Sequence, residues 1–416
     1  MEKGILWFST VLGLVLAVAY CQNNAPVPAN QNIASSLSQA NTRGTRASPT
    51  LQLVYVVTHH GIMAPMLTFP TNPYQPDDTK YWPNGAGELT QIGRMQMYKL
   101  GQKFRSMYDG FLDQTYQAKE FKANSFINTR ALDTAELFLA GLYPPRGFQV
   151  WKKDLLWQPI PVFPTLYDHE DILNFTTKST CPRFRAAQLD SLMKADILYN
   201  PSLSNFMNDI VPYTGIDLEF YKKLYGDLYR QQSVTTVWHT LKFIADNGLS
   251  LPDWATKAYP EPVISLRTVT GSAFFAGSFD QIRLLSGELF REVVDMFRSK
   301  VNNSTDVRKM YYYSGRDFTI LSLLLMLGQQ NDRYVNTGSA LIYELHRNPS
   351  TGNFYVQVLY VDGGSPESVP EDINIQGCGS PCDLYQLLNI TEKYYNITNW
   401  NQECILEPAK PCCTMN

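Results

Sequence analysis

The chain has 416 residues, of which 44% are hydrophobic and 18% are charged, and its formal net charge is −3. This charge lacks the basic excess that attracts nucleic acids or anionic lipids, so we expect neither a nucleic-acid nor a membrane partner. The length exceeds what a single core usually fills and predicts one large domain plus an insertion.

The first 21 residues have the layout of a secretory signal peptide. A charged start is followed by an apolar run to Val18 and by small residues before Cys21. Residues 22–49 are rich in Asn, Gln, Ser, Ala and Pro without an apolar period, which predicts a flexible leader. No later stretch is apolar over the roughly 20 residues that span a bilayer. The sequence therefore predicts a secreted or luminal protein.

An α/β pattern begins after the leader. The run LQLVYVVT at 51–58 is apolar and β-branched, which predicts a strand that ends at His59 and His60. Apolar residues from Leu89 to Met107 are spaced as on one face of a helix. A second helix is predicted from near Thr129 to the double proline at 144–145.

The same order of strand, polar residues and helix returns near the far end of the chain. MYYYS at 310–314 predicts a buried strand, Gly315-Arg316-Asp317 follows it, and FTILSLLLMLG predicts the next helix. Loops at the carboxyl ends of neighbouring parallel strands converge, and the helices that follow favour anions at their amino termini. We therefore expect the two strand ends to lie side by side at an anion-binding site.

The middle of the chain has helical patterns and lacks strand-like runs, which predicts a helical insertion. The predicted segments are an α/β domain at 50–184 and 301–405, a helical insertion domain at 185–300, and a tail at 406–416. Prolines that predict breaks within the helical insertion are Pro201, Pro212, Pro252 and Pro260.

The cysteines and sequons agree with secretion. Cleavage after Cys21 leaves six cysteines, which predict disulfides in an oxidising compartment. Cys378 and Cys382 are spaced as metal ligands can be, but no histidine follows His346, so we expect no metal. Sequons for N-glycosylation occur at Asn174, Asn302, Asn303, Asn389 and Asn396.

Several blocks of the chain resemble the histidine acid phosphatase family, in its secreted and lysosomal branch, over residues 51–405. That family has an Arg-His-Gly-x-Arg-x-Pro signature after its first strand and a His-Asp pair after a later one. The matching blocks, in the family's order, are HHGIMAP at 59–65, WPNGAGELTQIG at 82–93, AGLYPP at 140–145, LLWQPIPV at 155–162, CPRF at 181–184, LPDWAT at 251–256, YSGRD at 313–317 and GCGSPC at 377–382. The resemblance implies a doubly wound, mainly parallel α/β sheet with a helical insertion domain.

The resemblance also implies a chemistry. Enzymes of this family attack a phosphomonoester with a histidine nitrogen, protonate the leaving oxygen with an aspartic acid and hold the phosphate with arginines. His60 matches the nucleophile, Asp317 the proton donor and Arg130 a phosphate-binding arginine. No cofactor is implied, the expected ligand is a phosphomonoester or another small anion, and the family often forms homodimers.

Three of the six pocket positions depart from the family pattern. His59 and Met63 stand where the family has arginines, and Arg316 stands where it has the histidine before the acid. The loss of two guanidiniums costs on the order of 3 to 6 kcal/mol, or about 10²- to 10⁴-fold in rate. His59 can donate one N–H and Arg316 adds a guanidinium, so both are candidate substrate-binding residues.

Two hypotheses on function follow from these departures. The first is a secreted or lysosomal phosphomonoesterase that is slow or altered in specificity. The second is a catalytically inactive pseudophosphatase that binds a ligand or a partner. Retention of His60 and Asp317 favours the first hypothesis, whereas loss of the two arginines favours the second.

The family's disulfides are implied as well. By resemblance, Cys181 is expected to bond Cys404, and Cys378 is expected to bond Cys382. Cys412 and Cys413 have no counterpart in the family, so they are either free or bonded to another chain.

Overall fold

A mixed β-sheet forms the centre of the fold. The structure is a computed structural model that describes residues 47–165, 181–302, 307–330 and 332–406. In these residues the sheet has the order β3-β2-β4-β1-β5-β6-β7, with β8 paired to β6. Its strands are β1 (Leu51–His59), β2 (Phe121–Phe126), β3 (Val162–Thr165), β4 (Met310–Gly315), β5 (Ala340–Arg347), β6 (Phe354–Val361), β7 (Glu371–Asp372) and β8 (Cys382–Asp383).

The strands that lead to the predicted site are parallel neighbours. β1 pairs with β4 so that Thr58 lies opposite Ser314 and His59 lies opposite Gly315. β2 continues the parallel part of the sheet on the other side of β4, and β3 follows β2. β5 and β6 add an antiparallel part beyond β1. The prediction that the two strand ends lie side by side is confirmed.

Helices cover both faces of the sheet. Alternate residues of β1 point to opposite faces: Val54 and Val56 pack in the cluster that contains α1 and α2, whereas Tyr55 and Val57 pack with α7, α8 and α9. The helices are α1 (Gln91–Met107), α2 (Thr129–Leu142), α3 (Pro182–Thr214), α4 (Leu218–Tyr225), α5 (Tyr229–Asp246), α6 (Val263–Ala276), α7 (Phe279–Val301), α8 (Asp317–Met326), α9 (Leu384–Tyr395) and α10 (Trp400–Glu403). The predicted α/β fold with a helical domain is confirmed.

Two of the predicted helix breaks are wrong. Pro201 and Pro212 lie inside α3, which continues to Thr214. An interior proline removes one hydrogen bond and costs about 3 kcal/mol in a helix. The side chains between the two prolines, among them Leu203 and Phe206, are buried in the hydrophobic cluster of the helical domain. Their burial offsets the cost, whereas Pro252 and Pro260 do lie between helices.

Both implied disulfides are confirmed. Cys181 bonds Cys404 across 223 residues, and Cys378 bonds Cys382. On the chain-entropy model the long closure stabilises the fold by about 5 kcal/mol. The sequon residues that the structure describes are all exposed, namely Asn302, Asn389 and Asn396.

Several predictions fall on residues that the structure does not describe. They are the signal peptide, the leader up to residue 46, the sequons at Asn174 and Asn303, and the cysteines Cys412 and Cys413. Within the described ranges, no helix combines the length and the apolar character that crossing a membrane requires. The boundaries at 184/185 and 300/301 stay a prediction.

Candidate functional site

A cleft of about 680 Å³ opens where the carboxyl ends of β1 and β4 face the helical domain. Four of the predicted site residues line it from the sheet side, and polar and aromatic residues of the helical domain line the opposite wall. The first set is His59, His60, Arg316 and Asp317, and the second includes Trp238, His239 and Arg267. The cleft lies at the switch between parallel strands, where anionic ligands bind in open α/β sheets.

His60 lies immediately after β1 and is only 4% exposed. Its Nδ1 lies 2.9 Å from the carbonyl oxygen of Gly61. A carbonyl can only accept, so the ring proton is on Nδ1 and the lone pair is on Nε2. Burial lowers the pKa of His60 well below 6.5, and positive charge on His59 and Arg130 lowers it further. His60 is therefore a neutral imidazole with a nucleophilic nitrogen at the cleft.

The loop after His60 is held against α1 by close backbone contacts. A Cβ at Gly61 would lie 2.7 Å from the carbonyl oxygen of Gly93, so only glycine fits there without a shift. The Gly61 N–H donates to Thr134 Oγ1 at 3.1 Å, and the His60 carbonyl accepts from the Gly338 N–H at 2.9 Å. These contacts fix the backbone on which the His60 ring is carried.

His59 does not replace the missing guanidinium as a donor. Its Nδ1 lies 2.9 Å from the carbonyl oxygen of Asn336, so its N–H is used within the protein. Burial lowers the pKa of His59 to about 4, against the opposing field of Asp317. The sequence predicted an N–H of His59 toward the ligand. The structure instead gives a neutral ring whose N–H points to the protein backbone.

Asp317 is the first residue of α8 and lies beside a guanidinium that the sequence did not predict. Its Oδ2 is 3.5 Å from Arg267 Nη2 of the helical domain. Burial alone would raise the pKa of Asp317, but the fields of His59, Arg267 and Arg316 outweigh burial and lower it. In the free protein the carboxyl group is therefore held in its ionised form.

The two predicted phosphate-binding arginines differ in position. Arg130 lies in the first turn of α2. The side chain of Asn128 caps this helix by accepting a hydrogen bond from the Ala131 N–H at 2.8 Å. Arg130 is not among the residues that line the cleft, but its charge lowers the pKa of His60. Its Nε is buried without a hydrogen-bond partner in the described chain. Arg316 lines the cleft, and its guanidinium lies 5.0 Å from the ring centre of Phe318.

Met63 belongs to the apolar interior of the helical domain. It is 3% exposed, forms a β-bridge with Leu89 and packs in a hydrophobic cluster with Phe69 and Val237. The side chain therefore closes the cleft with apolar surface where the family has a cation.

Arg267 and His239, which reach the cleft from α6 and α5, were not predicted from the sequence. The Arg267 guanidinium lies 4.6 Å from the Trp238 ring centre, so the aromatic ring holds it beside Asp317. His239 is 5% exposed, and its Nδ1 lies 3.1 Å from the Leu67 carbonyl oxygen. Both lie in helical patterns without a motif, so no spacing in the sequence identified them.

The described residues contain no cluster of His, Cys, Asp and Glu that could hold a metal ion. The chemistry available in the cleft is that of a neutral imidazole, a carboxylate and several guanidiniums. This set suits nucleophilic attack on an anion whose charge the guanidiniums neutralise.

Comparison with known proteins agrees with this geometry. The profile of the histidine phosphatase superfamily (branch 2) matches residues 35–361. Lysosomal acid phosphatase of Homo sapiens is 31% identical over 368 residues, which cover 87% of this chain and 82% of that protein. Prostatic acid phosphatase of Bos taurus is 29% identical over 376 residues, covering 88% and 90% respectively.

Solved structures show the same fold at lower identity. The phytase of Hafnia alvei, in its apo form, has a TM-score of 0.61 and 18% identity, covering 86% of this chain and 98% of its own. The phytase of Citrobacter braakii has a TM-score of 0.62 and 16% identity, covering 86% and 100%. The family match extends over most of the sequence and includes both strand ends that form the cleft. This chain therefore belongs to branch 2 of the histidine phosphatase superfamily.

Proposed function

We propose that this protein hydrolyses phosphomonoesters slowly, through a phosphohistidine on His60 with Asp317 as proton donor. One observation carries the proposal: His60 keeps its proton on Nδ1 through Gly61, which leaves Nε2 as a nucleophile in the cleft that Asp317 also lines. The membership in a phosphatase family supports the same chemistry.

The reaction has two steps. The first step requires Asp317 to have taken up a proton from the acidic medium. In it, the Nε2 lone pair of His60 forms a bond to phosphorus, the ester P–O bond breaks, and the leaving oxygen takes the proton of the Asp317 carboxyl group. In the second, water attacks phosphorus, the P–N bond breaks, and Asp317 takes a proton from the water. Phosphate is released and both residues return to their starting states.

Slow turnover follows from the changed charges. Met63 offers no donor, and the N–H of His59 is used by the Asn336 carbonyl. Arg316 and Arg267 bring guanidiniums to the cleft from other positions. Positive charge thus enters the pocket at new positions. The rate of hydrolysis should lie about 10²- to 10⁴-fold below that of an enzyme with arginines at positions 59 and 63, which would clamp the phosphate in the transition state.

The place of action is part of the proposal. The relatives carry the names lysosomal and prostatic acid phosphatase, and the chain begins with a signal-like segment. We propose a secreted or lysosomal glycoprotein with sugars on exposed sequons such as Asn389. A homodimer, as is common in the family, stays an expectation.

A second candidate function is ligand binding without turnover. It is favoured by the ion pair of Asp317 with Arg267, because an ionised carboxylate cannot donate a proton to a leaving group. In that case the cleft would hold a small anionic ligand and release it unchanged.

Hydrolysis of an aryl phosphate by the purified protein, from about pH 4 to pH 6, separates the two candidates. We expect slow hydrolysis that His60→Ala abolishes, together with a labelled phosphohistidine after rapid acid-free quenching. A rate that is equal in the natural chain and in His60→Ala would contradict the phosphatase proposal and leave the binding function.

A further inference from the structure

We propose that His239 determines specificity: its Nε2 accepts a hydrogen bond from a hydroxyl or N–H group on the organic part of a phosphomonoester. This inference rests on the proposed function, because it places the phosphate group near His60. It adds a recognition element from the helical domain to the chemistry at the strand ends.

The hydrogen bond of Nδ1 fixes the state of the His239 ring. Nδ1 lies 3.1 Å from the carbonyl oxygen of Leu67, which can only accept, so the proton is on Nδ1. Burial lowers the pKa of His239 to about 4, and the charges of Arg267 and Arg130 act in the same direction. At neutral and mildly acidic pH the ring is therefore neutral, and Nε2 can only accept.

Nε2 has no hydrogen-bond partner among the described residues, although His239 is only 5% exposed. A buried acceptor without a donor is unfavourable, and native structures seldom keep one without a reason. His239 lines the cleft, so a ligand that enters the cleft can supply the missing donor.

The phosphate group is not the partner of Nε2. Its charged oxygens need donors, which Arg316 and Arg267 offer in the same cleft, whereas Nε2 of His239 can only accept. The surroundings of His239 are instead aromatic: the Phe243 ring centre is 4.5 Å away and that of Trp238 is 5.9 Å away. These aromatic side chains suit an organic group with apolar faces and one hydrogen-bond donor. Nε2 of His239 would accept the hydrogen bond from that donor.

Binding of phosphonates tests the inference without requiring turnover, because their C–P bond is not hydrolysed. The probes are benzylphosphonate and its three derivatives with one hydroxyl group at the ortho, meta or para position of the ring. Their affinities are measured by calorimetric titration. We expect at least one hydroxyl isomer to bind about 10-fold more tightly than the parent compound, as one satisfied buried acceptor allows.

Two variants form a matched pair. His239→Asn keeps an amide donor near the Leu67 carbonyl but has no group at the Nε2 position, so the preference for the hydroxyl isomer should fall to about 1. His239→Gln can bring its amide oxygen near that position and should retain part of the preference. Melting curves establish that both variants are folded. In the natural chain, the tight isomer should also shift the ¹⁵N resonance of Nε2, which tests the contact even if a variant fails to fold.

The outcomes separate this inference from the proposed function. Equal affinity for all four phosphonates in the natural chain, or a preference that survives in His239→Asn, overturns the role of His239 and leaves the phosphate site intact. Failure of every phosphonate to bind, while the natural chain is folded, overturns the proposed anion site and this inference with it.

Discussion

Two buried histidines near opposite ends of strand β1 differ in their hydrogen bonding: His346, on the neighbouring strand β5, lies opposite Leu51, and His60 follows the last residue of β1. At the amino end, His346 bonds Thr50 Oγ1 through Nδ1 at 2.9 Å and Glu344 through Nε2 at 3.0 Å. Glu344 also accepts from Tyr108 Oη at 2.6 Å. At the carboxyl end, His60 bonds only its own loop, and no group of the described chain bonds its Nε2.

Burial does not distinguish the two histidines, since His346 is 3% exposed and His60 is 4% exposed. The two histidines differ in whether the protein satisfies all their hydrogen bonds. A network in which every polar atom has a partner stabilises the fold without a ligand. A site that leaves acceptors at a cleft is completed only by a ligand. We therefore assign the amino end of β1 to stability and the carboxyl end to function.

The largest expected effect separates these two assignments directly. His60→Ala should lower phosphatase activity by at least about 10³-fold, because no other group forms the covalent intermediate. Its free energy of unfolding should change little, because the residue borders a cleft. Hydrolysis of an aryl phosphate and urea unfolding measure the two quantities.

His346→Ala is the matched control at the other end of the strand. It should lower the free energy of unfolding by about 3 kcal/mol, because Glu344 stays buried with only Tyr108 as its partner. The activity per folded molecule should equal that of the natural chain. A loss of rate as large as that of His60→Ala would contradict the division between the two ends.

The next effect concerns the charge at the functional end. His59→Arg, Met63→Arg and Arg316→His together restore the family's pattern and should raise activity on the order of 10²-fold, because the transition state regains its clamp. The single changes should not add, since the three residues hold one transition state. Met63→Arg alone should destabilise the protein, because Met63 is 3% exposed among apolar side chains.

The control for this variant carries the same three changes plus His60→Ala. The gain must disappear in it, because the restored clamp acts only on a phosphoryl group that His60 attacks. A folded triple variant with no gain that depends on His60 would mean that missing charge does not limit this pocket.

Much of the functional end could be predicted from the sequence. β1 and β4 are buried on both faces, so their apolar runs are continuous, and the polar residues that follow them mark the site. β5 and β6 were not predicted, although ALIYELHR and FYVQVLYV contain strand-forming residues. The sequence also gave no reason to extend α3 through Pro201, because the stabilising packing is tertiary.

Two residues that line the cleft could not be found in this way. Arg267 and His239 come from separate helices of the helical domain, and neither has a fixed spacing to His60 or Asp317. Their position depends on how α5 and α6 pack against the sheet, which no local pattern encodes. The sequence therefore predicted the residues at the strand ends of the cleft and did not predict those that the helical domain contributes.

A third effect, about 2 kcal/mol for each of two histidines, is the pH dependence of stability at the functional end. His59 and His239 have pKa values lowered to about 4 by burial, whereas an unfolded histidine titrates near 6.5. Between these values the unfolded chain binds protons that the folded chain does not, so stability falls as pH falls. From about pH 7 to pH 5 each residue should lower the free energy of unfolding by about 2 kcal/mol.

Urea unfolding of the natural chain and of His239→Asn at the two pH values measures this contribution. The variant should lose about 2 kcal/mol less on acidification, because one of the titrating groups is gone. Equal losses in both proteins would show that the ring of His239 is already protonated or exposed, contrary to its place in the cleft wall.

The smallest effect, about 10-fold, tests whether Arg267 restrains the proton donor. Burial would raise the pKa of Asp317, but the field of Arg267 at 3.5 Å helps to lower it. Arg267→Gln removes that charge, so the pKa of Asp317 should rise and its protonated form should persist to higher pH. The alkaline limb of the pH–rate profile, where the donor loses its proton, should then move to higher pH, with a gain of about 10-fold near pH 5 for each unit by which the pKa rises.

The choice of substrate separates this role from phosphate binding by Arg267. An alkyl phosphate needs a proton on its leaving oxygen and should gain from Arg267→Gln, whereas an aryl phosphate with a stable phenolate needs none and should not. Arg267→Lys keeps a positive charge, so the limb should stay near its original position. If both substrates slow equally in Arg267→Gln, then Arg267 clamps the phosphate, and the ion pair with Asp317 does not set the rate of proton transfer.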